Sequence, residues 1–371
     1  MPPDSPISPH RTLPHGAREL RCAHLDDYNV ELREDGAFLG DRANKKAFQA
    51  MLERWRRALG EADPLRGIST PELYKQKQEL EKILLHGDPA AAGVLFGAIE
   101  DFSHSLCDVV ACFLKQPAWR GTRRIVIGGG FREGRIGELV AGRAGVLLKR
   151  AAEPVDLQPI RHHPDAAGLL GSLELAPEWV LAGFDGILAV DIGGTNIRAG
   201  VVELGSQHTA TKIWKWQRWR HADDEPGRDE AVDALISILR KLIAAAEAED
   251  FRLAPFIGIA CPGIIRPDGI IARGAQNLPG DWESQEFNLP VRIVGAIPQI
   301  GGQRTAAILH NDAVVQGLSE ACHMDDVARW GILTIGTGLG NAHFTNHGRL
   351  SRPCLPDSRP GVSATLTTTA F

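Results

Sequence analysis

The chain has 371 residues, 43% hydrophobic and 23% charged, which is enough to bury a large core and, at about 100–200 residues per domain, to form two domains. Its 41 Lys and Arg against 46 Asp and Glu give a formal charge of −5, so bulk charge favours neither nucleic acid nor an anionic membrane, and a small-molecule partner is expected. No run approaches the ~20 consecutive apolar residues of a membrane helix, and prolines stand where a signal peptide carries its apolar run; a cytoplasmic protein is expected. Cys22, Cys107, Cys112, Cys261, Cys322 and Cys354 are scattered without a CxxC pair, which supports neither a disulfide framework nor a zinc site.

Residues 1–20, rich in Pro and His, read as a disordered tail. Apolar Ala47, Phe48, Met51, Leu52, Trp55 and Leu59 recur at helical spacing and predict an amphipathic helix over 43–59. Thr70-Pro71-Glu72 opens a second helix and Asp88-Pro89 a third, running to about Leu114. Arg124 to Gly130 reads as a buried strand feeding a three-glycine turn, followed by a helix over 135–150, a strand near 155–160 and a helix over 165–175. Pro177 to Gly186 reads as a linker. The second half opens with strands over 187–191 and 197–204 around Gly193-Gly194, then a strand over 211–219. Its alternating Trp and basic residues suit a packed sheet face better than single-stranded nucleic acid on an acidic chain. A helix over 229–248, a strand ending in Cys261-Pro262-Gly263, a short strand at Val291–Val294, a strand over 306–309 and a helix over 313–322 follow. A strand over 330–335 then ends in Gly336-Thr337-Gly338-Leu339-Gly340. Residues 346–371, rich in Ser, Thr and Pro, read as a second disordered tail. The pattern is α/β.

Two turns carry chemistry. Asp191-Ile192-Gly193-Gly194-Thr195-Asn196 and Gly336 to Gly340 each follow a strand and offer backbone N–H groups and a threonine hydroxyl where a phosphate can approach without meeting a Cβ. One such turn alone is as well explained by a structural tight turn; two together favour nucleotide phosphate binding. Neither fits the P-loop or dinucleotide pattern.

These residues resemble the ROK family of sugar kinases and sugar-responsive repressors, within the actin, hexokinase and Hsp70 superfamily. DIGGTNIRAGVVEL is similar to the family's first phosphate loop, GIACPG to its following strand and AQNLPGDW to its sugar-side segment. LHNDAVVQGLSE is similar to its catalytic Asn-Asp segment and GILTIGTGLGNA to its second phosphate loop, all in the family's order over about 187–344. The family's later elements resemble segments upstream: LYKQKQELEKILLHGDPAAAGVLFGAIEDFSHSLCDVV its helices, RRIVIGGGF its adenosine turn and HPDAAGLLGSLELA its last helix. The resemblance thus implies a circular permutation: 21–176 corresponds to the family's C-terminal half, 177–186 is a new linker and 187–345 corresponds to its N-terminal half.

The resemblance implies a two-lobed actin-like ATPase (RNase H-like) fold with the nucleotide in the interlobe cleft. It implies ATP-dependent phosphorylation of a hexose, glucokinase-like, with Asp312 as base and Asn277, Asn311 and Asp312 on the sugar. ATP phosphates fall to Asp191, Gly193, Gly194, Thr195, Asn196, Arg198, Gly336, Thr337, Gly338 and Gly340, adenosine to Gly128, Gly129 and Gly130, and Mg²⁺ to Asp191 through water. Without the family's role, Asn311-Asp312 reads as a helix N-cap. The family's GExGH segment, with its sugar-binding Glu and His, and its cysteine-rich zinc motif have no recognised counterpart, so no zinc is expected. Two alternatives stand beside the kinase: a sugar-sensing regulator, for which no helix-turn-helix is evident, and a nucleotide-binding relative that has lost turnover. Neither nucleic acid nor membrane is an expected partner, and a homodimer stays open.

Overall fold

A computed structural model describes residues 13–132, 134–151, 153, 155–205 and 211–347. The chain divides into two compact units, each assembled from separated stretches: residues 1–29, 161–326 and 345–371 in the first, 30–160 and 327–344 in the second.

In the first unit, a five-stranded sheet runs in the order Ala306–Asn311, Leu253–Cys261, Gly186–Ile192, Ile197–Glu203, Lys212–Trp219. The first three strands are mutually parallel and the last two complete antiparallel hairpins. Gly186–Ile192 and Leu253–Cys261 are buried along their whole length, as expected of parallel strands covered on both faces. On one face Leu188, Val190, Ala199 and Val201 join Leu235, Leu239 and Leu242 of the helix Arg228–Ala248 in a single apolar cluster. On the other face the helix Pro164–Gly171 and the turn after it approach so closely that side chains are excluded: a Cβ on Gly258 would lie 2.8 Å from that of Ser172, and one on Gly200 3.2 Å from Leu169.

Lys212–Trp219 has the structural role expected of it. Trp214 stacks on Phe251 at 4.8 Å, and Lys215, 4.4 Å above the Trp214 ring, pairs with Glu249.

In the second unit the strands Leu339–Asn346 (to residue 344), Arg329–Ile335, Arg124–Gly128 and Asp156–Pro159 lie in that order, the last three parallel. The helix Pro89–Leu114, capped by Asp88 on the N–H groups of Ala90 and Ala91, buries Leu95, Phe102, Leu106 and Val110. Phe102 meets Phe48 of the helix Lys45–Leu59 at 5.7 Å and Phe131 at 4.8 Å. No single helix among the described residues is long and apolar enough to cross a membrane.

Several expectations give way. Val291–Val294 is part of a helix, Leu289–Ala296, because Asn288 caps the Val291 N–H and Leu289-Pro290 forms its first turn; these local start signals outweigh the β-branched residues. The second helix is capped by Ser69, in a capping box with Glu72, one residue before the expected Thr70. The helix after Asp312 ends at Leu318. The linker 177–186 holds a short helix, Glu178–Gly183, with Val180 fully buried. Residues 13–20 of the expected N-terminal tail are packed, with Ala17 and Leu20 buried. The C-terminal tail beyond residue 347 lies outside the described residues.

Arg56, 8% exposed, latches residues 63–70 of the second unit: it donates to Asp63, Thr70 and the carbonyls of Leu65 and Ile68, all within 2.7–2.9 Å. Arg56→Met leaves the buried Asp63 carboxylate without its cation, and chemical denaturation should register a loss of roughly 3–5 kcal/mol.

Candidate functional site

Parallel register brings the candidate carboxylates together in the first unit. Asp191 lies opposite Ala260 and Asn311 opposite Cys261, so Asp191, Cys261 and Asp312 stand at the C-terminal ends of three neighbouring parallel strands. That edge is where open α/β sheets bind ligands.

Asp191 is 2% exposed. Burial pushes its pKa up, and Arg198, donating from Nη1 to Oδ2 at 3.0 Å, opposes that rise. Arg198 is itself gripped by Asp165 at 2.6 Å, and Asp165 also receives Arg218 at 2.9 Å. Burial acts to lower the Arg198 pKa but is outweighed by Asp191 and Asp165, so its pKa rises. Arg198, expected on a phosphate, is thus engaged inside the protein.

Asp312 is half-buried at the first position of its helix. Burial, then the charge of Asp191, raise its pKa from 3.8 to about 7, against the backbone N–H groups of Ala313 and Asp312. The neighbouring Cys261 thiol is pushed well up by burial and by the same two carboxylates, which keeps it protonated and unreactive.

Asn311 is the cap that the sequence also allowed. Its Oδ1 accepts from the N–H groups of Ala313 and Val314, and its Nδ2 donates to the Gly263 carbonyl at 3.0 Å. Asn277 is exposed on a loop anchored by buried Leu278 and Trp282, the latter donating to the Pro279 carbonyl at 2.7 Å.

The first glycine loop closes on itself through the Gly193 N–H to the Asn196 carbonyl at 2.9 Å. It is held from outside by His221, whose Nε2 lies 2.8 Å from the Gly193 carbonyl, and by the Ala222 N–H to the Thr195 carbonyl at 3.3 Å. Gly193, Gly194, Thr195 and Asn196 stay half-buried.

In the second unit the other two turns are neighbours, at the C-terminal ends of the paired strands Arg124–Gly128 and Arg329–Ile335. Gly129 has φ +82°, and a Cβ there would lie 2.5 Å from the Ile335 carbonyl oxygen. Glycine is therefore required for the two turns to touch. Gly130 is different: its Cβ would meet nothing within 4 Å, and that of Gly336 nothing nearer than 3.9 Å. Both backbones are open to a ligand on that side, and residues 336–340 are half-buried. The Gly336 N–H donates to the Gly338 carbonyl, and the Lys45 N–H to the Gly336 carbonyl at 3.0 Å. Beside Gly129, Arg132 has a buried Nε without a hydrogen-bond partner among the described residues.

The sequence reading missed an acid–imidazole pair in the first unit. Glu19 and His24 are 2.5 Å apart, with His347 3.6 Å from the other Glu19 oxygen, and Glu19 is 72% exposed. The only signal was an acidic residue and a histidine five apart, the first of them in a segment read as tail.

No protein-family model matches the chain, and no curated protein matches it. Among solved structures the chain is similar to a protein assigned as a sugar kinase from Cytophaga hutchinsonii, with 18% identity and a TM-score of 0.34 over 46% of this chain and 50% of that one. It is also similar to a protein assigned as an N-acetylmannosamine kinase from Listeria monocytogenes (24%, TM-score 0.31, 44% and 49%) and to a ROK hexokinase from Thermus thermophilus (22%, TM-score 0.31, 45% and 49%). The match spans about half the length of each of these chains.

The position of Asp312 fixes the sign of a pH effect. Its carboxyl ionises near 3.8 when unfolded and about 7 when folded, so stability falls as pH rises from the first value to the second. Asp312→Asn removes that loss: thermal unfolding should show a higher midpoint than wild type at pH 8 and almost none of the difference at pH 4.

Proposed function

We propose that the chain transfers the γ-phosphoryl group of ATP to a hydroxyl of a hexose, in the manner of a cytoplasmic glucokinase, with Asp312 as base. The observation that carries this reading is Asp312 itself: a half-open carboxylate with a pKa of about 7, placed beside Asp191 at the sheet's C-terminal edge. A base titrating near the operating pH can take a proton and still be regenerated. In this scheme Asp312 accepts the proton of the attacking hydroxyl, and the cap made by Asn311 fixes the backbone on which Asp312 stands.

The residues fit a magnesium nucleotide. Mg²⁺ is commonly held by one or two carboxylates together with substrate phosphates; Asp191 is the carboxylate assigned to it, through water. When bound, ATP with its Mg²⁺ supplies the transferable group and part of its charge neutralisation. The protein supplies the rest. In each loop one glycine N–H closes the turn itself, Gly193 onto Asn196 and Gly336 onto Gly338; Gly194, Thr195 and Asn196 of the first loop, and Thr337, Gly338 and Gly340 of the second, are the residues assigned to phosphate oxygens. Gly128, Gly129 and Gly130 serve the adenosine, with Arg132 as a cation beside them. Asn277 serves the sugar.

A circular permutation suits the first unit's own contacts. The His347 N–H reaches the Cys22 carbonyl at 3.4 Å, and Thr345 donates to Asp26 at 2.7 Å. The late strand and the N-terminal segment thus abut as consecutive elements would. Arg161 to Ala176 pack with residues that follow them, through the closely approaching glycines described above.

One observation favours nucleotide binding without turnover: the Arg198–Asp191 pair already neutralises the carboxylate assigned to magnesium. A coupled ATP-consumption assay over a panel of hexoses, paired with calorimetry on a nonhydrolysable ATP analogue, separates the two readings. Asp312→Asn should lower phosphorylation about 10²–10⁴-fold with affinity for the analogue nearly unchanged. The wild-type kcat/KM should rise with pH up to about 7 and then level. Equal turnover in wild type and variant removes Asp312 from the mechanism.

A further inference from the structure

The strand Ala306–Asn311 is an edge strand of the first unit's sheet, and an edge normally leaves a row of backbone donors and acceptors unpaired. Here the Leu309 groups of that row are taken by a segment from almost 300 residues earlier. The Gly16 N–H donates to the Leu309 carbonyl at 3.0 Å, and the Leu309 N–H donates back to the Nδ1 of His15 at 3.0 Å. The next donor along, the Asn311 N–H, is taken by the Nδ1 of His310 at 2.8 Å, while the Nε2 of the same ring lies 2.9 Å from the Ala17 carbonyl. This geometry admits one form of the ring: Nδ1 must be bare to accept, and Nε2 must carry the proton to donate. The ring is fully buried, meets Tyr28 edge-on at 5.6 Å, and burial takes its pKa down to about 4. The neutral form therefore persists across the physiological range. Tyr28 is fixed in turn, its hydroxyl donating to the Ile265 carbonyl at 3.3 Å and accepting from the Ile265 N–H at 3.2 Å.

We propose that His310 and the segment His15–Ala17 are positioning elements for phosphoryl transfer: the segment completes the strand edge, and His310 ties it to the backbone that carries Asn311 and Asp312. The proposal rests on the reading of Asp312 as base. It makes the N-terminal segment part of the catalytic unit, acting on the reacting carboxylate through one imidazole, with His310 itself touching no substrate.

Three variants of the full chain test it. His310→Asn keeps an acceptor near the Nδ1 position, His310→Gln keeps a donor near the Nε2 position, and His15→Ala removes only the acceptor for the Leu309 N–H. The readouts are kcat and KM for the hexose, affinity for a nonhydrolysable ATP analogue, and amide hydrogen exchange of the peptide covering residues 306–318. Small misplacements of reacting groups cost up to about 100-fold in rate, so His310→Gln should lose roughly 10–100-fold in kcat with analogue affinity within about twofold. His310→Asn, which keeps an acceptor for the Asn311 N–H but cuts the bond to the Ala17 carbonyl, should lose kcat by a similar factor, since the tie needs both ring nitrogens. His15→Ala should raise exchange at Leu309 about tenfold, as a locally opened edge does, and lower kcat without moving analogue affinity.

Wild-type kcat in both His310→Gln and His15→Ala overturns the proposal. So does a fall in kcat matched by lost analogue affinity and by exchange rising throughout the chain, which would mark a role in folding alone. If the His310 variants do not fold, His15→Ala decides, because the His15 side chain is only partly buried. If the wild-type chain phosphorylates no hexose, the kinase reading falls and positioning for transfer falls with it; the exchange of His15→Ala then still reports separately whether the segment holds the edge.

Discussion

A carboxylate that is almost wholly shut from water at the end of a central strand cannot keep its charge alone. At Asp191 Arg198 opposes the rise in pKa that burial causes, and Arg198 keeps its orientation through Asp165, which stands in the first turn of the helix Pro164–Gly171. The line of alternating charge ends at the more exposed Arg218. Much of the first unit follows from it. The helix must lie close enough on the sheet to deliver Asp165, so glycine is needed at 168, where a Cβ would press on the Asp191 carboxylate at 2.6 Å, and at 258. The charge of the Asp191 carboxylate also raises the Asp312 pKa, after burial. One ion pair thereby sets both the spacing between helix and sheet and the protonation of the proposed base.

What could be read from the sequence was local. Asp88-Pro89 announces its helix because cap and first-turn proline are adjacent in the chain, and the strands ending in Gly128, Ile192 and Ile335 announce themselves by β-branched runs stopped by glycine. Of the site, the two glycine loops and Asn311-Asp312 were legible for the same reason. What escaped depends on partners remote in sequence. Arg198 looked like a phosphate ligand because nothing nearby reveals Asp165, 33 residues back. Residues 13–20 looked like tail because their pattern lacks periodicity; their order comes from the edge they fill. The helix Leu289–Ala296 was misread for the opposite reason, β-branched Val291, Ile293 and Val294 masking a start signal in plain view at Asn288-Leu289-Pro290.

The three glycines after Arg124–Ile127 do different work. Gly129 is dictated by packing within the protein, since only a residue without a Cβ lets the turn lie against Ile335. Gly130 faces open space, so packing alone does not demand glycine there. This contrast separates a glycine that packing requires from one that it does not within one tripeptide, and a sequence pattern cannot make that distinction.

The bond between Ala17 and His310 joins residues 293 apart, which has a consequence during synthesis. A ribosome adds about 5–20 residues per second, so His15–Ala17 emerge roughly 15–60 s before the strand they complete. Throughout that interval the segment has no edge to join, and the first unit cannot close until its strand Ala306–Asn311 has been made. The second unit waits as well, because its strand Arg329–Ile335 follows later still. The newborn chain must therefore carry the apolar helices of both units unfinished until those strands emerge.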